Sequence, residues 1–339
     1  MKTLSVLLAL AGLGLGTLLV GWFGFHPVLT AALSVGWSGL GVLAIWQFLL
    51  FVILAAAWVG ILPPGPARQR RYPVYVWGRM VRDASANLLP FSQVGGFVFG
   101  ARAITLYGVP WSLASASTLV DVTTEFLAQL TFAAMGLAIV ILHAPHAGIA
   151  IPAGIGLVVA LGAGATFIWL QKGAGGVLSR LGRRIAPAWF AGASDSVAAF
   201  KTTIDAIYAR PGRLVLGFAV HLFGWIATGV STWIAYRLLG ARLDLDAALA
   251  IEALLSALAA AAFLVPVSAG VQEAGYVALG AIFGMPPDVS LAVSLVRRAR
   301  DVTVGVPILL IWQALEMRRL RGRSGAPAAG MAESRPPKG

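Results

Sequence analysis

Leu264-Val265-Pro266-Val267-Ser268-Ala269-Gly270 sits at the centre of an apolar stretch, Ala248 to Gly284, and puts helix breakers where a membrane span would run unbroken. Irregular backbone is tolerated at membrane depth only where protein or a water-filled cavity covers it, so the stretch reads as a re-entrant hairpin. An earlier segment repeats it at an offset of 176 residues: Leu88-Leu89-Pro90-Phe91-Ser92 matches Leu264 to Ser268, and Tyr107-Gly108-Val109-Pro110 then matches Phe283-Gly284-Met285-Pro286 without a gap. Five of the 23 paired positions are identical, a weak signal alone. Both copies, however, lead into long helices interrupted by charge, Trp111 to Leu142 and Val289 to Leu315. At the same offset Asp121 meets Arg297 and Glu125 meets Asp301.

Around these segments lie runs of about 20 apolar residues, the length that crosses a bilayer core: Leu4 to Phe25, Gly39 to Leu62, Ile149 to Leu170 and Leu214 to Tyr236. The first is too long for a signal-peptide core and reads as a span. With the two charge-interrupted helices this makes about six full transmembrane helices. Composition agrees, since 59% of the 339 residues are hydrophobic and only 11% charged. Lysine and arginine concentrate in Pro63 to Asn87, in Gln171 to Arg213 and after Leu315, which places these segments and both termini in the cytoplasm. That orientation requires Ala248 to Gly284 to begin and end outside, and Leu88 to Gly108 to begin and end inside. Three spans separate the copies, so they lie upside down relative to each other, the inverted-repeat plan of many transporters. The expected fold is an all-α integral membrane protein: a polytopic domain over residues 1–316 with related segments 88–126 and 264–302, then a basic, disordered cytoplasmic tail, 317–339.

Charge inside such a chain points to a site. Thr118, Asp121, Thr124, Glu125 and Gln129 fall within an arc of roughly 140° on one helix, and Ser294, Arg297, Arg298, Arg300 and Asp301 within roughly 160° on the other. A central charge costs about 2.5 to 3.5 kcal/mol on insertion scales, so these groups face a cavity or each other. One reading pairs Asp121 or Glu125 with Arg297 or Arg300 as a helix lock. The other lets the arginines hold an anionic head group while the acids gate or carry a proton. Glu252 and Glu273 lie on the outer hairpin, and Glu273, just after the Pro266 to Gly270 break, is either a helix cap or a cavity-facing acid. His221, inside an apolar run, suits a helix–helix hydrogen bond or a proton relay.

Other chemistry is disfavoured. No cysteine is present, which removes thiolate nucleophiles and Cys-ligated metals. The histidines are scattered, and no zinc-protease, nucleophile-elbow, P-loop or dinucleotide fingerprint occurs, so neither an enzyme, a cofactor nor a metal is expected. The basic excess, 25 Lys+Arg against 13 Asp+Glu, belongs to loops that meet anionic lipid head groups and not nucleic acid.

Leu88-Leu-Pro-Phe-Ser-Gln-Val-Gly-Gly followed by Arg102, the helix with Asp121 and Glu125, and Leu264-Val-Pro-Val-Ser-Ala-Gly-Val-Gln-Glu-Ala-Gly with Arg297 downstream resemble the lysylphosphatidylglycerol synthase transmembrane-region family over nearly the whole chain. The family's Gly-Glu pair is replaced by Gly95-Gly96, and of its Gly-Gly-x-Gly-x-x-Glu pattern only Gly270 and Glu273 remain. Asp121-Val-Thr-Thr-Glu125-Phe-Leu-Ala-Gln129 looks more like the hopanoid-biosynthesis-associated branch, which lacks the synthase domain. The resemblance implies lipid translocation in a bacterial inner membrane, of hopanoids or another polar lipid, with lipid-biosynthesis proteins as partners. The translocation residues it suggests are Asp121, Glu125, Arg297, Arg300, Asp301, Glu273 and Arg102. A small-anion transporter and a non-transporting accessory subunit are the alternatives.

Overall fold

The computed structural model describes residues 25–89, 92–143, 187–261 and 271–324, with scattered helical positions between 151 and 169; among them there is no strand. The expected span Leu4 to Phe25 lies almost wholly outside the described residues, as does the break Pro266 to Gly270. Helix α1 (Phe25–Ile61) bends at Gly36. Then follow α2 (Tyr72–Leu88), α3 (Ser92–Thr105), α4 (Trp111–His143), α5 (Pro187–Tyr208), α6 (Pro211–Leu238), α7 (Leu245–Ala261), α8 (Val271–Ile282) and α9 (Pro287–Ser324). Among the described residues three helices are long and apolar enough to cross a membrane: Leu33–Ile61 of α1, α4 and α6. Helix α9 is long enough as well, but its arginines lower its hydropathy, and it runs on to Ser324, beyond residue 317 where a disordered tail was expected.

The segment 63–87 corrects the reading of a solvated basic linker. Pro73 starts a helix at Tyr72, where its missing N–H costs nothing, and the helix continues to Leu88, just before Pro90. Its buried face is Val74, Tyr75, Gly78, Arg79, Val81, Arg82 and Ser85, a helical spacing that carries two arginines inward. Of the five arginines counted there as loop charges, Arg79 and Arg82 are therefore core residues.

Helices α2 and α3 form an antiparallel hairpin. A Cβ at Gly100 would lie 2.7 Å from the Cβ of Arg82, and one at Gly96 would lie 2.8 Å from the Arg82 carbonyl oxygen, so glycine permits the approach. Helices α7 and α8 pair similarly, and each hairpin lies against the long helix that follows it, α4 or α9. Gly108 and Gly284, which match at the 176 offset, both adopt positive φ (86° and 73°), and each ends its hairpin ahead of a proline-led long helix.

The core has a region in each half. Trp58, Tyr75, Ile104 and Ala114 pack where α1 meets the first hairpin, while Tyr236, Ile251, Tyr276 and Val293 pack among α6 to α9. A third region, with Phe51, Val81, Ala103 and Ile308, joins α9 to α1, α2 and α3.

Two ends of the molecule are defined by contacts. At one, His143 meets Asp246 and the ring of Phe283, and Gly39 lies against Leu238. At the other, Arg102 pairs with Glu316, Arg319 donates to the Thr105 carbonyl, and Ile61 packs with Ile207, Tyr208 and Leu214. The turn of the first hairpin reaches neither end: Leu88 rests on Gly305, midway along α9.

Candidate functional site

Five charged groups and a histidine from α2, α4 and α6 meet in one buried cluster. The Nε of Arg79 donates to Asp83 at 3.1 Å, and its terminal nitrogens donate to Glu125 at 3.1 and 2.6 Å. Arg82 donates from Nη1 to Asp121 at 2.9 Å and from Nη2 to Glu125, while the ring of Phe97 lies 4.6 Å from its guanidinium carbon. On the far side of Asp121, the Nε2 of His221 stands 2.9 Å from Oδ1. Since that carboxylate accepts from Arg82 as well, Nε2 is the donor and carries the hydrogen. Side-chain exposure falls along the cluster from 19% at Asp83 and 14% at Glu125 to 0% at Asp121 and His221.

A second cluster lies among α6, α7, α8 and α9. Arg297 donates from Nη1 to Glu252 and to the Tyr276 hydroxyl, the latter at 2.9 Å. Glu252 also accepts from Thr232 at 2.8 Å and from Tyr276 at 3.1 Å, so this buried carboxylate is held by three helices. Arg298 pairs with Glu273, and Arg300 donates to Asp301 at 3.0 and 2.6 Å and to Ser231 at 3.2 Å. Arg297, Arg300, Ser231, Thr232 and Tyr276 line a small cavity.

The expected pairing of Asp121 and Glu125 with Arg297 and Arg300 is not what forms. Each acidic or basic set finds partners in its own cluster: Asp121 and Glu125 in the first, Arg297, Arg300, Asp301 and Glu273 in the second. The residues thus form two separate networks. Arg102 belongs to neither, since it pairs with Glu316 near the end of α9. His221 makes the helix–helix bond expected of it.

Sequence reading missed Arg79 and Arg82 because they were counted as linker charges, and Asp83 with them; the signal was present in the spacing of Tyr75, Arg79, Arg82 and Ser85 along one helical face. Tyr276, Ser231 and Thr232 carried no signal beyond ordinary apolar-helix composition.

The polarity of the two clusters is reversed. In the first, the hairpin supplies arginines and the long helix supplies carboxylates; in the second, the hairpin supplies Glu252 and the long helix supplies Arg297. Both are networks that lock helices together, and removing one partner of such a buried pair costs about 3–5 kcal/mol. Asp121, Glu125 and His221 bring possible metal-binding atoms within 4.8 Å of one another. Two guanidiniums already occupy the carboxylates, so this donor set does not suit a metal cation.

Comparison with known proteins adds one match. The sequence model of the family described as lysylphosphatidylglycerol synthase TM region fits residues 7–309, nearly the full length. No curated protein and no solved structure matches the chain.

Proposed function

Because this membrane protein belongs to the lysylphosphatidylglycerol synthase TM region family, we propose that it moves a polar lipid across the bacterial inner membrane, with hopanoids or another polar lipid as cargo. The family supports a lipid-related transport domain and a non-enzymatic role. The observation that carries the reading is the pair of buried ion clusters, each placed where a hairpin meets the long helix after it. Charge so expensive to bury is retained in membrane helices chiefly on translocation paths.

The architecture we attach to this function has six spans and two re-entrant hairpins in an inverted repeat, with both termini cytoplasmic. Several features support it. The order long helix, short helix, shorter helix, long helix occurs in α1 to α4 and again in α6 to α9. His143, Asp246 and Phe283, which the scheme puts outside, share one end, and Arg102, Thr105 and Glu316, which it puts inside, share the other, a grouping that the scheme requires. Leu88 against the middle of α9 suits a hairpin that turns back at mid-depth.

Within this scheme Arg297 and Arg300 meet the anionic part of the head group at the cavity they share with Tyr276, and cluster opening precedes passage. The cavity has room for about one water and none for a head group, which suits a closed resting state. The test is leaflet exchange of a fluorescent lipid in vesicles with the purified protein, read by quenching of the outer leaflet. Exchange should exceed that of empty vesicles and fall about tenfold or more when Tyr276→Phe removes one hydroxyl from the cavity, a change of about 1.4 kcal/mol in the barrier. Uptake of a soluble anion with no lipid exchange would overturn the lipid reading in favour of anion transport.

A further inference from the structure

The first cluster does not balance. Among the described residues, Asp83, Asp121 and Glu125 contribute three negative charges and Arg79 and Arg82 two positive ones, so with a neutral imidazole this set carries one uncompensated negative charge. One proton on His221 would balance the set. The histidine has the atom to receive it: Nε2–H already serves Asp121, while Nδ1, fully buried, has no hydrogen-bond partner among the described residues. An unpartnered polar nitrogen at the closed end of a charged file is costly unless something visits it.

The surroundings of the ring narrow what can visit. Helix α4 presents Asp121 and Glu125, with Arg79, Arg82 and Asp83 of α2 behind them. Helix α1 meets α6 through Ile61 and Leu54 at Gly217 and Gly224, without a titratable group, and α5 contributes Tyr208 near Leu214. Glu252 of α7 and Arg300 of α9 reach α6 only at Thr232 and Ser231, three helical turns away. Anions are repelled by the carboxylates and metals by the guanidiniums, whereas a proton needs no cavity and brings the charge that the carboxylates lack.

We propose that the first cluster is a proton-binding site, occupied as the His221 imidazolium held by Asp121, and that lipid movement is coupled to loading and release of this proton. The coupling rests on the lipid-translocation reading above; the proton site does not. Hydronium reaches Nδ1 directly when α6 parts from α4 and uncovers the ring, forms the Nδ1–H bond and leaves a water molecule behind; release reverses the transfer. Loading turns the link between α6 and α4 from a neutral hydrogen bond into an ion pair and tightens it. Unloading weakens it and frees α6 to part from α4.

Two measurements separate the parts. Replacing His26, His143 and His146 by glutamine leaves His221 as the one histidine of the chain, outside any change to the cluster. With nitrogen-labelled histidine in nanodiscs, its ring signals should pass from a neutral tautomer with hydrogen on Nε2 to imidazolium as pH falls from about 8.5 to about 5. The same state at both limits would overturn the proton site. In vesicles of the wild-type chain, a gradient of about one pH unit should skew the labelled lipid between leaflets, toward a limit of about tenfold for one proton per lipid. Exchange that proceeds to an even distribution would overturn the coupling. No exchange at any pH would defeat the translocation reading and the coupling together, while the ring signals still decide the proton site.

Discussion

Arg297 and Glu252 show why single substitutions in such a chain mislead. Glu252 is 1% exposed and draws on Arg297, Tyr276 and Thr232, so Arg297→Ala removes its main counter-charge and leaves a carboxylate buried. Loss of folded protein is then expected, about 3–5 kcal/mol, whatever the arginine does for transport. The pair Arg297→Gln with Glu252→Gln removes both charges and keeps the hydrogen-bonding shape. We expect thermal unfolding of the double variant in nanodiscs to lie closer to wild type than either single variant, while lipid exchange stays low. Exchange restored along with stability would assign the pair to structure alone. The same residues mark the limit of the sequence. A half-buried Arg297 follows from its position in an apolar helix, but its partner does not, because Glu252 lies 45 residues away on a hairpin whose packing only the folded chain reveals.

At the level of the element, the α2–α3 hairpin is the part on which sequence and structure differ most. The breaker in Leu88-Leu-Pro and Gly108 in the repeat were legible, but the bounds were not. The stretch Leu88 to Gly108, read as a whole hairpin that begins and ends inside, holds only its second arm; the first was missed because the charge density of Tyr72 to Leu88 resembles a cytoplasmic loop. Arginines read as topology signals only when exposed, and hydropathy cannot distinguish exposed from paired. The hairpin also gives a sharp test. At Gly96 a Cβ would meet the carbonyl oxygen of Arg82 at 2.8 Å and the amide nitrogen of Ala86 at 3.3 Å, which are backbone atoms that cannot rotate aside. Gly96→Ala should therefore push α3 from α2, cost about 1–3 kcal/mol and disturb the guanidinium of Arg82. Gly41→Ala, where nothing lies within 4 Å, is the control and should unfold as wild type does in a thermal scan.

For the whole molecule, orientation is the first quantity to fix, and a chain without cysteine makes it simple. Single cysteines in place of the exposed residues Asp244 and Pro286 should react with an impermeant maleimide from outside the cell, and those in place of Lys201 and Met317 only after the membrane is opened. Labelling of the two pairs from the same side would break the inverted plan. What makes the plan mechanically interesting is α6. His221 of the first cluster and Thr232 of the second lie eleven residues apart on this one helix, about 16 Å along its axis and, at 100° per residue, within about 20° of the same face. A carrier leaks when its two gates drift out of step, and gates on separate parts need a third part to time them. On the transport reading both bolts are cut into one shaft, so a slide or roll of that shaft moves them together, and slippage between them would require the helix itself to unwind.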